Sequence, residues 1–258
     1  MPARSLRNAA LVVAVLLLAA CGDDDADTAE DAPADETTTT DAGEETTTTD
    51  ADDGQEPDEA ACPDDAPIPA EASALSDAPV AYDGNGDGEQ DILTVYEDDG
   101  DWMLHVEWAA GGTSAVWLDE AGSMGARPLG GYDLSGDGAD EAWVAMAGPA
   151  AGSIVGIYRT EGCELIPVFD ADTGSPFTFT VTATIGNFSG ATCDGFGDID
   201  LYSGELAGPD GEEYMVSQAP HTYDEGQLLA EFGDAGSVHL DDLGQYTTLD
   251  CGDLAGAL

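Results

Sequence analysis

Lysine is absent, and arginine occurs only at Arg4, Arg7, Arg127 and Arg159. That removes lysine Schiff-base chemistry and the phosphate-binding lysine of a Walker loop. Against these cations stand 55 acids, for a formal net charge of −51. A nucleic-acid partner is excluded, because phosphate binding needs the basic groups this chain lacks. No CxxC pair occurs, which argues against a redox motif or a zinc ribbon. The three histidines, His105, His221 and His239, lie far apart without an HxxxH spacing and read as ordinary strand or loop residues. No GxSxG elbow is present. The apolar run at 11–20 (LVVAVLLLAA) is too short to span a bilayer, which takes roughly 20 residues.

That run follows Arg4 and Arg7 and reads as a signal peptide over 1–20. It ends Leu18-Ala19-Ala20-Cys21, which resembles the lipobox of bacterial lipoproteins. The resemblance implies cleavage before Cys21 and diacylglycerol on its sulfur. Two acyl chains make a stable anchor where one is marginal. The expected mature protein is exported and tethered to the extracellular face of the cell membrane through that anchor only. Residues 21–61 then read as a lipid-anchored spacer. Between 22 and 61 lie 17 acids, two TTTT runs, no basic residue and no aromatic. Such a segment has no apolar face to offset the entropy of ordering and is predicted to be disordered and self-repelling. Its threonines are open to O-glycosylation.

Residues 62–258 hold the apolar residues of one domain or one small repeat array. They keep 38 of the acids against Arg127 and Arg159, a surplus that points to a high-salt habitat, where screening shortens. Their four cysteines, Cys62, Cys163, Cys193 and Cys251, form an even set in an exported chain, which predicts disulfides. Three pairings are open. The favoured one joins Cys163 to Cys193 within one repeat and Cys62 to Cys251 across the domain ends.

The most informative stretch is YDGNGDGEQDILTVY (82–96), which recurs without a gap fifty residues on as YDLSGDGADEAWVAM (132–146). A looser third copy is GNFSGATCDGFGDIDLY (186–202), with Ala191-Thr192-Cys193 inserted. A fixed period near fifty residues marks a repeat architecture. Oxygen-bearing side chains stand at the first, third, fifth and ninth loop positions. These are Asp83, Asn85, Asp87 and Asp91; Asp133, Ser135, Asp137 and Glu141; and Asn187, Ser189, Asp194 and Asp198. The seventh position, Glu89, Ala139 or Phe196, would supply a backbone carbonyl, where the side chain matters little. Glycine at the sixth, Gly88, Gly138 or Gly195, permits the turn around an ion. A calcium ion takes six to eight oxygens, and this donor set suits it. An EF-hand would need a bidentate Glu at position 12, where Thr94 and Val144 stand, and helices on both sides, whereas the flanks are β-rich.

The pattern resembles the FG-GAP or VCBS repeats of integrin-type β-propellers, in which a D-x-[DNS]-G-D-G-x-x-[DE] loop leads directly into an apolar strand. The resemblance covers roughly 80–204. It implies four-stranded units with calcium in loops between strands. The chain is too short for a ring of seven. The expected fold is therefore all-β, a small or partial propeller-like array of three to four units of about 50 residues. Short β-rich runs at 92–96, 102–108, 115–118, 142–147, 153–159, 165–169, 177–185, 199–202 and 214–218 agree with it. Residues 224–232 read as a short helix. The sequon Asn187-Phe188-Ser189 overlaps the third loop, and its residues read as ligands or turn residues, not as a glycan site.

The functional expectation is a cell-surface, lipid-anchored, calcium-binding β-repeat protein that binds an extracellular protein or glycan, or serves a structural role, and is not an enzyme. Two alternatives stand beside it. A carbohydrate-binding surface module would show exposed tryptophans among Trp102, Trp108, Trp117 and Trp143. A cryptic hydrolase would need three carboxylates converging in a cleft away from calcium.

Overall fold

The computed structural model describes residues 62–254 except 65, 75–79, 120, 122–124, 148–151, 196 and 209–210. The signal peptide, Cys21 and the spacer lie outside the described residues, as do 255–258.

The described chain is all-β. Its first unit is a meander of β2 (Val80–Tyr82), β3 (Asp91–Asp98), β4 (Asp101–Glu107) and β5 (Thr113–Trp117), antiparallel throughout. A two-residue β1 (Ser73–Ala74) pairs with β3 further along, completing a five-stranded sheet. The second unit repeats the order: β6 (Ala126–Tyr132), β7 (Glu141–Ala147), β8 (Gly152–Glu161) and β9 (Glu164–Pro167). In both units the acidic loop joins the first strand to the second. It closes on the same pair, Tyr82 opposite Asp91 and Tyr132 opposite Glu141.

The rest departs from the repeat. β8 pairs with β9 through its C-terminal half and with β11 (Thr178–Ala183) through its N-terminal half. From β11 the sheet continues through β12 (Asn187–Cys193), β13 (Asp198–Leu206) and β14 (Glu213–Asp224) to β15 (Gln227–Ala230) and, in parallel, β10 (Phe169–Asp170). β16 (Ala235–His239) adds to β14, and β17 (Leu249–Asp250) adds in parallel to β12. A 3-10 helix over Leu240–Tyr246 and another over Gly252–Leu254 complete the chain end. The described strands form one sheet of five and one of twelve, and neither closes into a barrel or a propeller ring.

Period-two patterning explains most of these elements. In β11 (TFTVTA), Phe179 and Val181 are buried while Thr178 and Thr180 face solvent. β7 (EAWVAMA) is apolar without alternation because both its faces are covered. Ala142, Val144 and Met146 join Leu93, Val95, Leu104 and Trp108 in one core. Trp143 and Ala145 join Val155, Phe179 and Ile199 in the other. Strand β7 is thus the shared wall of the two large cores, and the second acidic loop opens directly into it. A smaller cluster packs Phe188, Tyr214 and Val216 under Leu243 of the 3-10 helix.

The nine strands expected from sequence each overlap an observed strand. The helix expected over 224–232 is instead the end of β14, a two-residue turn and β15. Glu225 and Gly226 both take positive φ, 47° and 84°, as a type I′ hairpin turn requires. The favoured cysteine pairing is also corrected: the disulfides are Cys62–Cys163 and Cys193–Cys251. Parallel pairing of Ala191 with Leu249 and Thr192 with Asp250 brings the next residues, Cys193 and Cys251, within 4.7 Å at Cα. At the other end a parallel bridge sets Asp64 beside Thr113, and Ser114 Oγ donates to the Cys163 carbonyl, drawing Cys62 to the β8–β9 turn.

Candidate metal centre

Both repeated loops wrap their own backbone around carboxylate oxygens. In the first, Asp83 accepts at Oδ1 from the Asp87 N–H (3.1 Å) and at Oδ2 from the Gly88 N–H (2.9 Å). Asn85 Oδ1 accepts from the Asp87 N–H at 3.2 Å, and Asn85 Nδ2 donates to Asp87 Oδ2 at 2.8 Å. Asp87 Oδ1 takes the Glu89 N–H at 2.6 Å. Asp91 accepts from the N–H groups of Gly84 (3.0 Å) and Ala109 (2.8 Å).

The second loop repeats this scheme with changed residues. Asp133 accepts from Gly136 (2.7 Å) and Gly138 (3.1 Å), Ser135 Oγ from Asp137, and Asp137 Oδ1 from Ala139 (2.9 Å). Glu141 Oε2 accepts from Leu134 at 2.7 Å and Ser135 at 3.3 Å. The glycines at the sixth position have φ of 81° and 97°, and those at the fourth, Gly86 and Gly136, 72° and 74°. Positive φ at both places coils the loop so that its N–H groups point inward, and glycine adopts it without steric cost.

The ninth-position acids are the most enclosed. Asp91 is fully buried and Glu141 is 4% exposed. Burial pushes the Asp91 carboxyl up, the N–H groups of Ala109 and Gly84 pull it back, and Asp87 and Asp83 push it further. Burial likewise pushes Glu141 up to about 7 against the donors Leu134 and Ser135, with Asp137 and Asp133 adding to the rise. Tyr223 of β14 approaches Glu141, and its hydroxyl is raised first by burial and then by that carboxylate. Among the described residues the ion pairs are Arg159–Glu161 (2.9 Å) and His239–Asp241 (3.5 Å), and neither involves an acidic loop. Both loops therefore carry carboxylates without a protein cation against them.

The third copy does not assemble. Asn187 and Ser189 are ladder residues of β12, opposite Glu205 and Ser203. Cys193, opposite Ile199, ends that strand, so Asn187 stands six residues, about 20 Å at ~3.3 Å each, from the turn holding Asp194. Asp198 opens β13 and accepts from Thr222 Oγ1 at 3.1 Å. β12 is covered on both faces, with Phe188 in the smaller cluster and Ala191 in the larger core. Ser189 shares the Ala191 face and its Oγ is buried, while Asn187 is exposed, and the inserted Ala191-Thr192-Cys193 extends the strand. The four-residue ligand set expected there is therefore withdrawn.

Among the described residues no group of three or more His, Cys, Asp or Glu side chains converges as a ready-made metal centre. The chemistry of the two loops nonetheless fits a hard cation. Every side-chain donor is oxygen, and a carboxylate oxygen already holding one N–H keeps a second lone pair. Asp83, Asn85, Asp87 and Asp91 would hold an ion in the first loop, with the Glu89 carbonyl. Asp133, Ser135, Asp137 and Glu141 would do so in the second, with that of Ala139.

Elsewhere the chemistry is sparse. His105 and His221 are buried in strands, the latter with Nδ1 at 2.9 Å from the Ala219 carbonyl. Trp102, Trp108 and Trp143 belong to the cores, and Trp117 alone of the four is exposed, at 53%. Sequence reasoning did not single out Asp140. Its carboxylate accepts the Asp83 N–H at 3.0 Å, and its own N–H donates to the Asp83 carbonyl at 2.7 Å, joining the two loops. Compared with known proteins, the chain matches no family model, no curated protein and no solved structure.

Proposed function

We propose that residues 62–258 form a calcium-stabilised module of the FG-GAP/VCBS, integrin-type repeat class. It is held at the outer face of the cell membrane by lipid on Cys21 and acts by binding an extracellular protein or glycan, without catalysis. The observation that carries this reading is the repetition of one device. Two acidic loops fifty residues apart join the first and second strands of two successive four-stranded meanders, with matching N–H-to-carboxylate bonds. A shared fold element explains a repeated strand order. It does not by itself explain two clusters of carboxylates that no protein cation faces among the described residues, an arrangement that a bound cation would favour. On this reading the two meanders are successive blades of a propeller-like array, and the strands from β11 onward cap it instead of adding a third calcium loop.

Hydrogen exchange followed by mass spectrometry tests the loops directly. Calcium should protect amides in 82–96 and 132–146, with much smaller changes in 186–202. Identical exchange with and without calcium would remove the basis of the reading. The tether has its own test. Cys21→Ala should move the protein from the membrane to the soluble fraction, and unchanged partition would exclude lipidation there.

A second reading, a carbohydrate-binding surface, rests on Trp117. It is exposed beside a small cleft lined by Tyr158, Pro167, Pro176 and Phe177, and an exposed indole is a stacking platform for a sugar ring. Glycan-array binding abolished by Trp117→Ala would favour it over a protein ligand.

A further inference from the structure

We propose that Asp140 is a positioning residue that couples the two loops, so that the first calcium ion raises the affinity for the second. The inference rests on the calcium reading above and adds a regulation to it. Asp83 opens the first loop as its first oxygen donor. Its backbone is gripped on both sides by one residue of the other loop: Asp83 N–H donates to Asp140 Oδ2 (3.0 Å), and Asp140 N–H donates to the Asp83 carbonyl (2.7 Å). Asp140 in turn lies between Ala139, whose carbonyl is a donor of the second loop, and Glu141, its buried ninth-position acid.

The contact extends to the turns themselves. A methyl group added at Gly86 would stand 3.2 Å from the Gly138 carbonyl oxygen and 3.3 Å from the Ala139 nitrogen, so the two loops already touch. The Asp140 side chain is wedged in place. A methyl group added at Gly131 would lie 2.6 Å from Asp140 Oδ2 and 2.7 Å from Tyr82 Cβ. The joint is one-sided, since the position corresponding to Asp140 in the first loop is Gln90.

An ion that fixes Asp83 also fixes the two hydrogen bonds to Asp140, and these hold the segment from Ala139 to Glu141. The ordering of both loops is then met largely by the first ion, and the second meets a loop already formed. Repulsion between two dications opposes this. It is weakened at ~0.15 M salt, where the Debye length is about 8 Å, and by the carboxylates around both sites. Linkage requires the effect to be reciprocal.

The test is a calorimetric titration of the full mature chain with calcium chloride at ~0.15 M NaCl. The wild type should bind two ions with a Hill coefficient above 1 and a second affinity about 5–150-fold above the first, the usual range of coupling. Asp140→Ala removes the side-chain acceptor but keeps the backbone bond to the Asp83 carbonyl, and should lower the coupling factor and bring the Hill coefficient toward 1. Asp140→Asn keeps an acceptor oxygen while losing the charge, and should retain the coupling. As a measurement independent of Asp140, Asp87→Ala and Asp137→Ala should each weaken the surviving site by the same factor. Two independent sites in the wild type, or the same loss in Asp140→Asn as in Asp140→Ala, would overturn the coupling while leaving the calcium reading intact. No calcium binding at all would overturn both.

Discussion

Chelating calcium with EDTA should lower the melting temperature of the protein by roughly 6–20 °C relative to ~10 mM calcium. The figure follows from ordinary magnitudes. Extracellular calcium modules bind with dissociation constants of about 10⁻⁴–10⁻³ M. At ~10 mM ion each occupied site then adds about 1.4–2.7 kcal/mol, provided the unfolded chain binds nothing. Two such sites add about 3–5 kcal/mol, and a domain of this size shifts by about 2–4 °C per kcal/mol. The buried positions of Asp91 and Glu141 explain why the loss should reach the whole fold. Each opens a strand that carries core residues, Leu93 and Val95 in one case and Trp143 and Val144 in the other. Asp87→Ala and Asp137→Ala should each remove at least half of the shift, and more than half where the surviving site is weakened by loss of its neighbour. The comparison is made at matched ionic strength, because with 38 acids against two arginines in residues 62–258 added salt is itself expected to stabilise by screening. A melting temperature indifferent to EDTA would count against both loops.

Breaking the Cys193–Cys251 bridge should be comparably costly. Removing a native disulfide from a small exported domain typically costs about 2–5 kcal/mol. This one closes a separation of 58 residues and ties the parallel strand β17 to β12. Cys251 is fully buried in the larger core beside Leu249 and Leu254, so the chain end that covers that core depends on it. Cys193→Ala should lower the melting temperature by about 4–20 °C on the same conversion. Non-reducing peptide mapping of the wild type should recover Cys62 with Cys163 and Cys193 with Cys251. Recovery of a Cys163–Cys193 peptide would contradict this connectivity.

What was legible in the sequence was local. Strands such as β11 announce themselves through Phe179 and Val181 alternating with threonines, because a strand's two faces alternate residue by residue. The two acidic loops were legible because a tight turn with glycines at positive φ and carboxylates taking its N–H groups constrains residue type position by position, and the constraint appears twice in register. What escaped depends on pairing between distant segments. Nothing near Cys251 reveals that Leu249 will lie parallel to Ala191. Asp194 and Asp198 look like loop ligands until β12 is seen to carry Asn187 and Ser189 away along the ladder. The expected helix at 224–232 failed for a local reason: Glu225-Gly226 is a hairpin turn, with positive φ at both residues. Asp140 escaped because its partner is the backbone of Asp83, 57 residues away, and backbone groups leave no mark in a sequence.

Equilibrium dialysis of the protein against calcium, with bound ion counted per molecule, tests the central claim most directly. The account predicts two ions in the wild type, one in Asp87→Ala, one in Asp137→Ala and none in the double variant, with Asp194→Ala unchanged at two. No bound ion in the wild type, or two ions retained in the double variant, would contradict it.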